Sequence, residues 1–227
     1  MRTVAVVAAL TLLPATGRAD GLIRTLPKDG AWASFYCSEE FDDGFKRDLY
    51  VTVQSVGRED VKGEPCRWIE VKNQRPAEWP KGDAGVWKLL IPEKHLTPDG
   101  DPLGHVVRSW SKTTDGVARR DVAEGLPRLY LVLPPAIKGL KEVREEQHFD
   151  WQKGRLTSKM TLVGAARHVN RVETVRTTYR LALSDQVPFG VAGAKLELES
   201  SGGYKGTVQY WLVDMGTGAT SAVPDAK

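Results

Sequence analysis

The chain is short of several things, and each shortage excludes something. It has two cysteines and four histidines in 227 residues. No Cys-x-x-Cys occurs, and His95, His105, His148 and His168 are spaced like no zinc or haem motif, so no metal site is expected. The longest apolar run, Val4 to Leu13, has ten residues, whereas a helix needs about 20 to cross a bilayer core. Charge of one sign is also missing. With 32 basic and 29 acidic residues the net charge is +3, which gives no long-range field for nucleic acid. The one basic cluster, Arg167, Arg171, Arg176 and Arg180, alternates with threonines and Glu173 and reads as the wet face of a strand. There is no G-x-S-x-G elbow, phosphate-binding loop or dinucleotide fingerprint. No cofactor and no catalysis are therefore expected.

What is present begins with the N-terminus, "MRTVAVVAALTLLPATGRADG". Arg2 is a short basic region, Val4 to Leu13 an apolar one, Pro14 a helix breaker, and Gly17 and Ala19 the small residues before a cleavage point. That is the layout of a secretory signal peptide, residues 1–19. The chain from Asp20 to Lys227 then reads as a single exported β domain, periplasmic or extracellular, with no membrane span. Its tail, residues 216–227, is small and polar and is expected to fray.

Export bears on Cys37 and Cys66. In an oxidising compartment an isolated pair is most simply a disulfide, here closing a loop of about 30 residues for roughly 3–4 kcal/mol. A free or reactive thiol is the alternative.

Most of the chain alternates with period two or is rich in β-branched and aromatic residues. Strands are expected over 31–38, 45–56, 64–74, 86–92, 105–113, 140–151, 155–163, 168–184, 191–200 and 206–215. In the second, Leu49, Val51 and Val53 share one face, and Tyr50, Thr52 and Gln54 the other. In the ninth, Ala192, Ala194, Leu196 and Leu198 oppose Lys195, Glu197 and Glu199. Between the strands at 168–184 and 191–200, Val187 before Pro188 is biased to extended backbone and Gly190 permits a turn. "LPRLYLVLPP" places Leu126, Leu129, Tyr130 and Leu133 at helical spacing, a short helix with a buried strand as the alternative. The fold class expected is all-β and mainly antiparallel: a large curved sheet or open half-barrel of about 9–11 strands with at most one or two short helices.

Seven tryptophans are the richest signal, since tryptophan both fills cores and stacks on sugars or lipid chains. Trp68, Trp79, Trp110, Trp151 and Trp211 are the candidate ligand-binding residues, with Trp79 set in the proline-bounded loop "AEWPKG". Carboxylates such as Glu70, Glu145 and Glu146 lie on strands, where two facing each other would suggest a glycosidase.

The stretches "WASFY", "VTVQSVGRED", "CRWIEVK", "VWKLLIP" and "TYRLALSDQVPFGVAGAKLELES", taken in order, resemble exported proteins related in form to the LolA/LolB lipoprotein carriers. That resemblance implies a curved sheet of about eleven strands around an apolar concavity. It also implies a hydrophobic or lipid-like ligand, or a partner protein, on the concave face. The reading is thus a non-catalytic exported binding protein. The alternatives are a glycan- or envelope-binding module using exposed tryptophans, and a hydrolase with carboxylates assembled across strands.

Overall fold

The computed structural model describes residues 26–74, 85–97, 100–113, 116–119, 141–169 and 174–223. The segments expected to be a signal peptide and a short helix, and the loop with Trp79, lie outside them. The described residues form eleven strands: β1 (Trp32–Phe41), β2 (Lys46–Val61), β3 (Glu64–Gln74), β4 (Gly85–Pro92), β5 (Arg108–Thr113), β6 (Gly116–Arg119), β7 (Lys141–Trp151), β8 (Gly154–Val169), β9 (Thr174–Leu183), β10 (Val191–Ser200) and β11 (Lys205–Gly216). Their helical content is three single turns of 3-10 type, Glu93–His95, Leu103–His105 and Pro188–Gly190.

All eleven strands belong to one antiparallel, unclosed sheet in the order β6-β5-β4-β3-β2-β1-β11-β10-β9-β8-β7. The all-β class and the curved open sheet expected from the sequence are what the molecule has. Two meanders, β1 to β6 and β7 to β11, meet where the first strand pairs with the last, from Trp32 opposite Gly216 to Phe41 opposite Gly206.

Because side chains alternate across a strand, this ladder sorts residues onto two faces. One rung runs Leu49, Cys37, Tyr210, Ala194, Leu181, Leu162 across six strands. None of the six is more than 8% exposed. Flanking rungs add Phe35, Val51, Val53, Ile69, Val71, Leu89, Ile91, Val208 and Leu212, so one face is a continuous apolar core. The turn between β9 and β10 is packed into it through Val187 and Phe189. The bend was legible in the sequence, but its left-handed positions are Phe189 (φ 71°) as well as Gly190 (φ 79°). A side chain in that conformation costs roughly 1–2 kcal/mol, which burial of the phenyl ring offsets.

One polar residue is accommodated deep at the edge of this face. Arg67 is fully buried, yet its guanidinium donates to Glu93, Asp29, the Ser55 hydroxyl and the Pro27 carbonyl at 2.8–3.1 Å. A buried cation is tolerable only when it is satisfied in this way.

The opposite face is polar and is covered at its two sides. Over the first meander the rung Gln54, Glu70, Lys88, Trp110 is overlaid by the C-terminal segment 219–223. The sequence reading expects that tail to fray. Through Val223 it is instead hydrogen-bonded to the sheet, and Val223 is fully buried. Over the second meander the covering element is β7. Its Glu145 accepts from Arg180 at 2.8 Å, its Gln147 donates to Thr161 at 3.0 Å, and its Phe149 lies over Gly193.

Candidate ligand-binding site

The expected cysteine bridge is absent: Cys37 and Cys66 are free, buried thiols. Both do lie in strands flanking β2, as the sequence suggests. However, Cys37 stands opposite Leu49 of β2 and Cys66 opposite Glu59, so ten positions separate their levels along that strand. At about 3.3 Å per residue this is roughly 30 Å, far beyond the ~7 Å between Cα atoms that a disulfide allows. They also face opposite ways. Cys37 is in the main core, whereas Cys66 packs with Trp68 and Leu90 in a small cluster on the other face. Burial pushes the Cys37 thiol up to about 12, with Glu39 adding to the effect, and burial raises the Cys66 thiol as well. Neither is poised as a nucleophile.

The five candidate tryptophans are not brought together. Trp68 is buried beside Cys66, with Lys88 4.7 Å from its ring centroid, and Trp110 packs against the same cluster. Trp151 packs on the main core at the tip of the β7–β8 hairpin, and Trp79 lies outside the described residues. Trp211 is different: it is 36% exposed on the polar face.

Around Trp211 the register builds a distinct surface. One rung reads Tyr50, Tyr36, Trp211, Gly193, Ala182, Thr161. Three rings are followed by three small residues, so the face steps down between β11 and β10. Tyr36 meets Tyr50 edge-on at 5.5 Å and Trp211 at 4.7 Å between centroids. The neighbouring rung is polar: Ser38, Gln209, Lys195, Arg180. Where the surface drops, β7 stands as a wall, and its Phe149 fills the room that a side chain at position 193 would take. A Cβ there would come within 2.4 Å of Phe149 Cε1, so only glycine permits the approach.

The result is a cleft of about 360 Å³ between Glu145, Gln147 and Phe149 of β7 on one side and Arg180, Lys195, Gln209 and Trp211 on the other, its lining completed by Gly193, Ala194 and Tyr210. Its charges cancel in pairs, Arg180 with Glu145 and Lys195 with Glu197, each at 2.8 Å. The Lys195 ammonium holds the exposed Glu197 carboxyl below its usual range. Glu145 is the one carboxylate lining the cleft, so the facing pair that a glycosidase needs is not assembled here. Glu146 sits beside His148 at 3.4 Å, and Glu70 is buried under the C-terminal segment. His95 and His105, ten positions apart in sequence, stack at 3.6 Å between ring centroids where two 3-10 turns meet. Among the described residues no three His, Cys, Asp or Glu side chains are placed to hold a metal.

Sequence reasoning singled out Trp211 but missed Tyr36, Tyr50, Gln147, Lys195 and Gln209. Strand alternation does put Tyr50 on a wet face. That its neighbours are Tyr36 and Trp211 depends on the pairing of the first strand with the last, which no local pattern reveals.

No family model matches the chain, and no curated protein matches it either. Among solved structures the chain is similar to a LolA superfamily protein from Nitrosomonas europaea, at 14% identity and a TM-score of 0.38, over 89% of this chain and 90% of that one. No helix among the described residues is long and apolar enough to cross a membrane.

Proposed function

We propose that this is a non-catalytic, exported binding protein whose open sheet takes a hydrophobic, lipid-like ligand against its apolar face. The observation that carries the reading is the six-strand rung from Leu49 to Leu162, part of an apolar surface that spans both meanders of an unclosed sheet. In a closed barrel, reaching such a surface means breaking a ladder of backbone hydrogen bonds. Here the two edge strands, β6 and β7, are not paired with each other, so the outer ends of the meanders can swing apart about the β1–β11 pairing without that loss. The ligand then replaces core contacts with contacts of its own, at little net change in buried apolar area. Export to the periplasm or cell exterior fits the N-terminal pattern and belongs to the same proposal.

The test is saturable binding of a fluorescent apolar probe, 1-aminoanthracene, and its displacement by palmitate. Replacing Ala194, in the middle of the rung, by Trp fills the face at a strain of about 1–3 kcal/mol. It is expected to abolish probe binding while leaving the strand circular dichroism unchanged. A wild-type protein that binds no probe and carries no extractable lipid from an exporting host overturns the proposal.

A further inference from the structure

We infer that the cleft beside Trp211, on the face away from the apolar core, is a second binding site, and that its ligand is a neutral oligosaccharide. Three features of the surface point to that chemistry.

The first is the platform. Tyr50, Tyr36 and Trp211 come from three adjacent strands and lie side by side at the strand spacing. Tyr50 is 37% and Trp211 36% exposed, between the part of the face overlaid by the C-terminal segment and the part walled by β7. Aromatic rings with a polar atom at one end suit a ligand that is apolar on its ring faces and hydroxylated at its edges. A pyranose is such a ligand, its axial C–H groups resting on the ring and its hydroxyls reaching past it.

The second is the lining. Beyond the platform the cleft offers a carboxylate (Glu145), two amides (Gln147, Gln209), a guanidinium (Arg180) and an ammonium (Lys195). These supply donors and acceptors for vicinal hydroxyls. Gln209 is exposed, and neither its amide nor the Trp211 indole N–H has a hydrogen-bond partner among the described residues.

The third is charge. The two cations are matched by Glu145 and Glu197, leaving no surplus for a phosphate or sulfate. An acyl chain would have to desolvate these groups without pairing them, at a cost a hydroxylated ligand avoids. At about 360 Å³ the cleft has the size of a small-molecule site, enough for a short stretch of chain entering from the platform.

The experiment titrates the full chain with cellohexaose and, separately, chitohexaose, following tryptophan emission and heat. Saturable binding of at least one is expected, weakened roughly tenfold or more by Trp211→Ala and by Gln209→Ala, with thermal midpoints close to wild type. Both side chains lie away from the apolar core, so aminoanthracene binding stays at its wild-type value in these variants. Ala194 and Tyr210 border both surfaces, so it is the Trp211 and Gln209 variants, with aminoanthracene as the control, that test the cleft separately from the apolar face. No saturable binding of either hexaose, or binding that Trp211→Ala leaves intact, overturns the inference.

Discussion

Cys37 shows how far the surroundings of one residue can turn it from the role its sequence context suggests. Secretion and pairing made it a candidate half-cystine. In the fold its thiol is sealed in the core beside the Tyr210 side chain and Glu39. Burial acts on both groups in the same sense, pushing the thiol up to about 12 and the Tyr210 phenol well above its ordinary range. Both therefore keep their protons in the native state at pH values where the unfolded chain has begun to lose them. The sign follows. The stability these groups confer is whole below the free thiol's value of 9.0 and is lost as pH rises from there towards about 12. Once pH passes 9 the thiol alone accounts for up to about 1.4 kcal/mol per pH unit. Urea midpoints measured from pH 8 to 11 are expected to fall for the wild type and to fall less steeply for the double variant Cys37→Ala, Tyr210→Phe. Parallel slopes would show that alkaline sensitivity comes from elsewhere.

At the scale of elements, the strands were largely legible because alternation carries most of the information. Glu64–Gln74 and Val191–Ser200 have the bounds expected from pattern alone. The failures have physical causes. The strand expected over 168–184 is in fact the end of β8 and the whole of β9, with His168 opposite Val175 in the antiparallel ladder between them. Alternation runs on through that reversal without a glycine or proline to mark it. Residues 105–107, read as strand, precede β5, and His105 closes a 3-10 turn. The C-terminal segment misled most, because its small polar residues look like a fraying end. What holds it is a partner more than 150 positions away. The buried Glu70 carboxylate accepts from the Ser221 hydroxyl, from the Ala222 and Val223 N–H groups at 3.0 and 3.4 Å, and from Gln54 at 2.9 Å. Lys88 and Lys112 donate to the Val223 and Ala222 carbonyls, both at 3.2 Å. Removing residues 217–227 is expected to cost about 1–3 kcal/mol, since hydrogen bonds to a charged group are among the stronger ones but water partly replaces them. Glu70→Gln in the full chain should cost a similar amount and almost nothing in the shortened one. A double-mutant cycle by urea unfolding reads the coupling directly, and strict additivity would mean that Glu70 does not hold the tail.

For the whole molecule, the deciding feature is a seam. Every pairing but one joins strands that follow each other in the sequence, and the exception ties β1 to β11 at the centre of the sheet. Both candidate sites straddle that seam. Cys37 and Tyr210 carry the apolar rung across it on one face, and Tyr36 and Trp211 form the aromatic platform across it on the other. This is why strand content could be read from the sequence while neither site could: each is made by a pairing between residues about 175 positions apart, which local period does not encode. The same topology orders the folding reaction. Hairpins within each meander close short loops, whereas the seam must wait for the longest closure in the chain. Contacts inside a meander should then be partly formed in the transition state, and seam contacts should form after it. Leu212, fully buried opposite Phe35, tests the seam, and Ile69, fully buried within the first meander, is the control. Leu212→Ala is expected to lose about 2–5 kcal/mol and Ile69→Val about 0.5–1.5 kcal/mol. Stopped-flow unfolding and refolding should show the Leu212 loss almost wholly as faster unfolding, with a φ-value below about 0.3, and the Ile69 loss chiefly as slower folding. A Leu212→Ala chain that instead refolds slowly and unfolds at the wild-type rate would place the seam first, with the two meanders assembling around it.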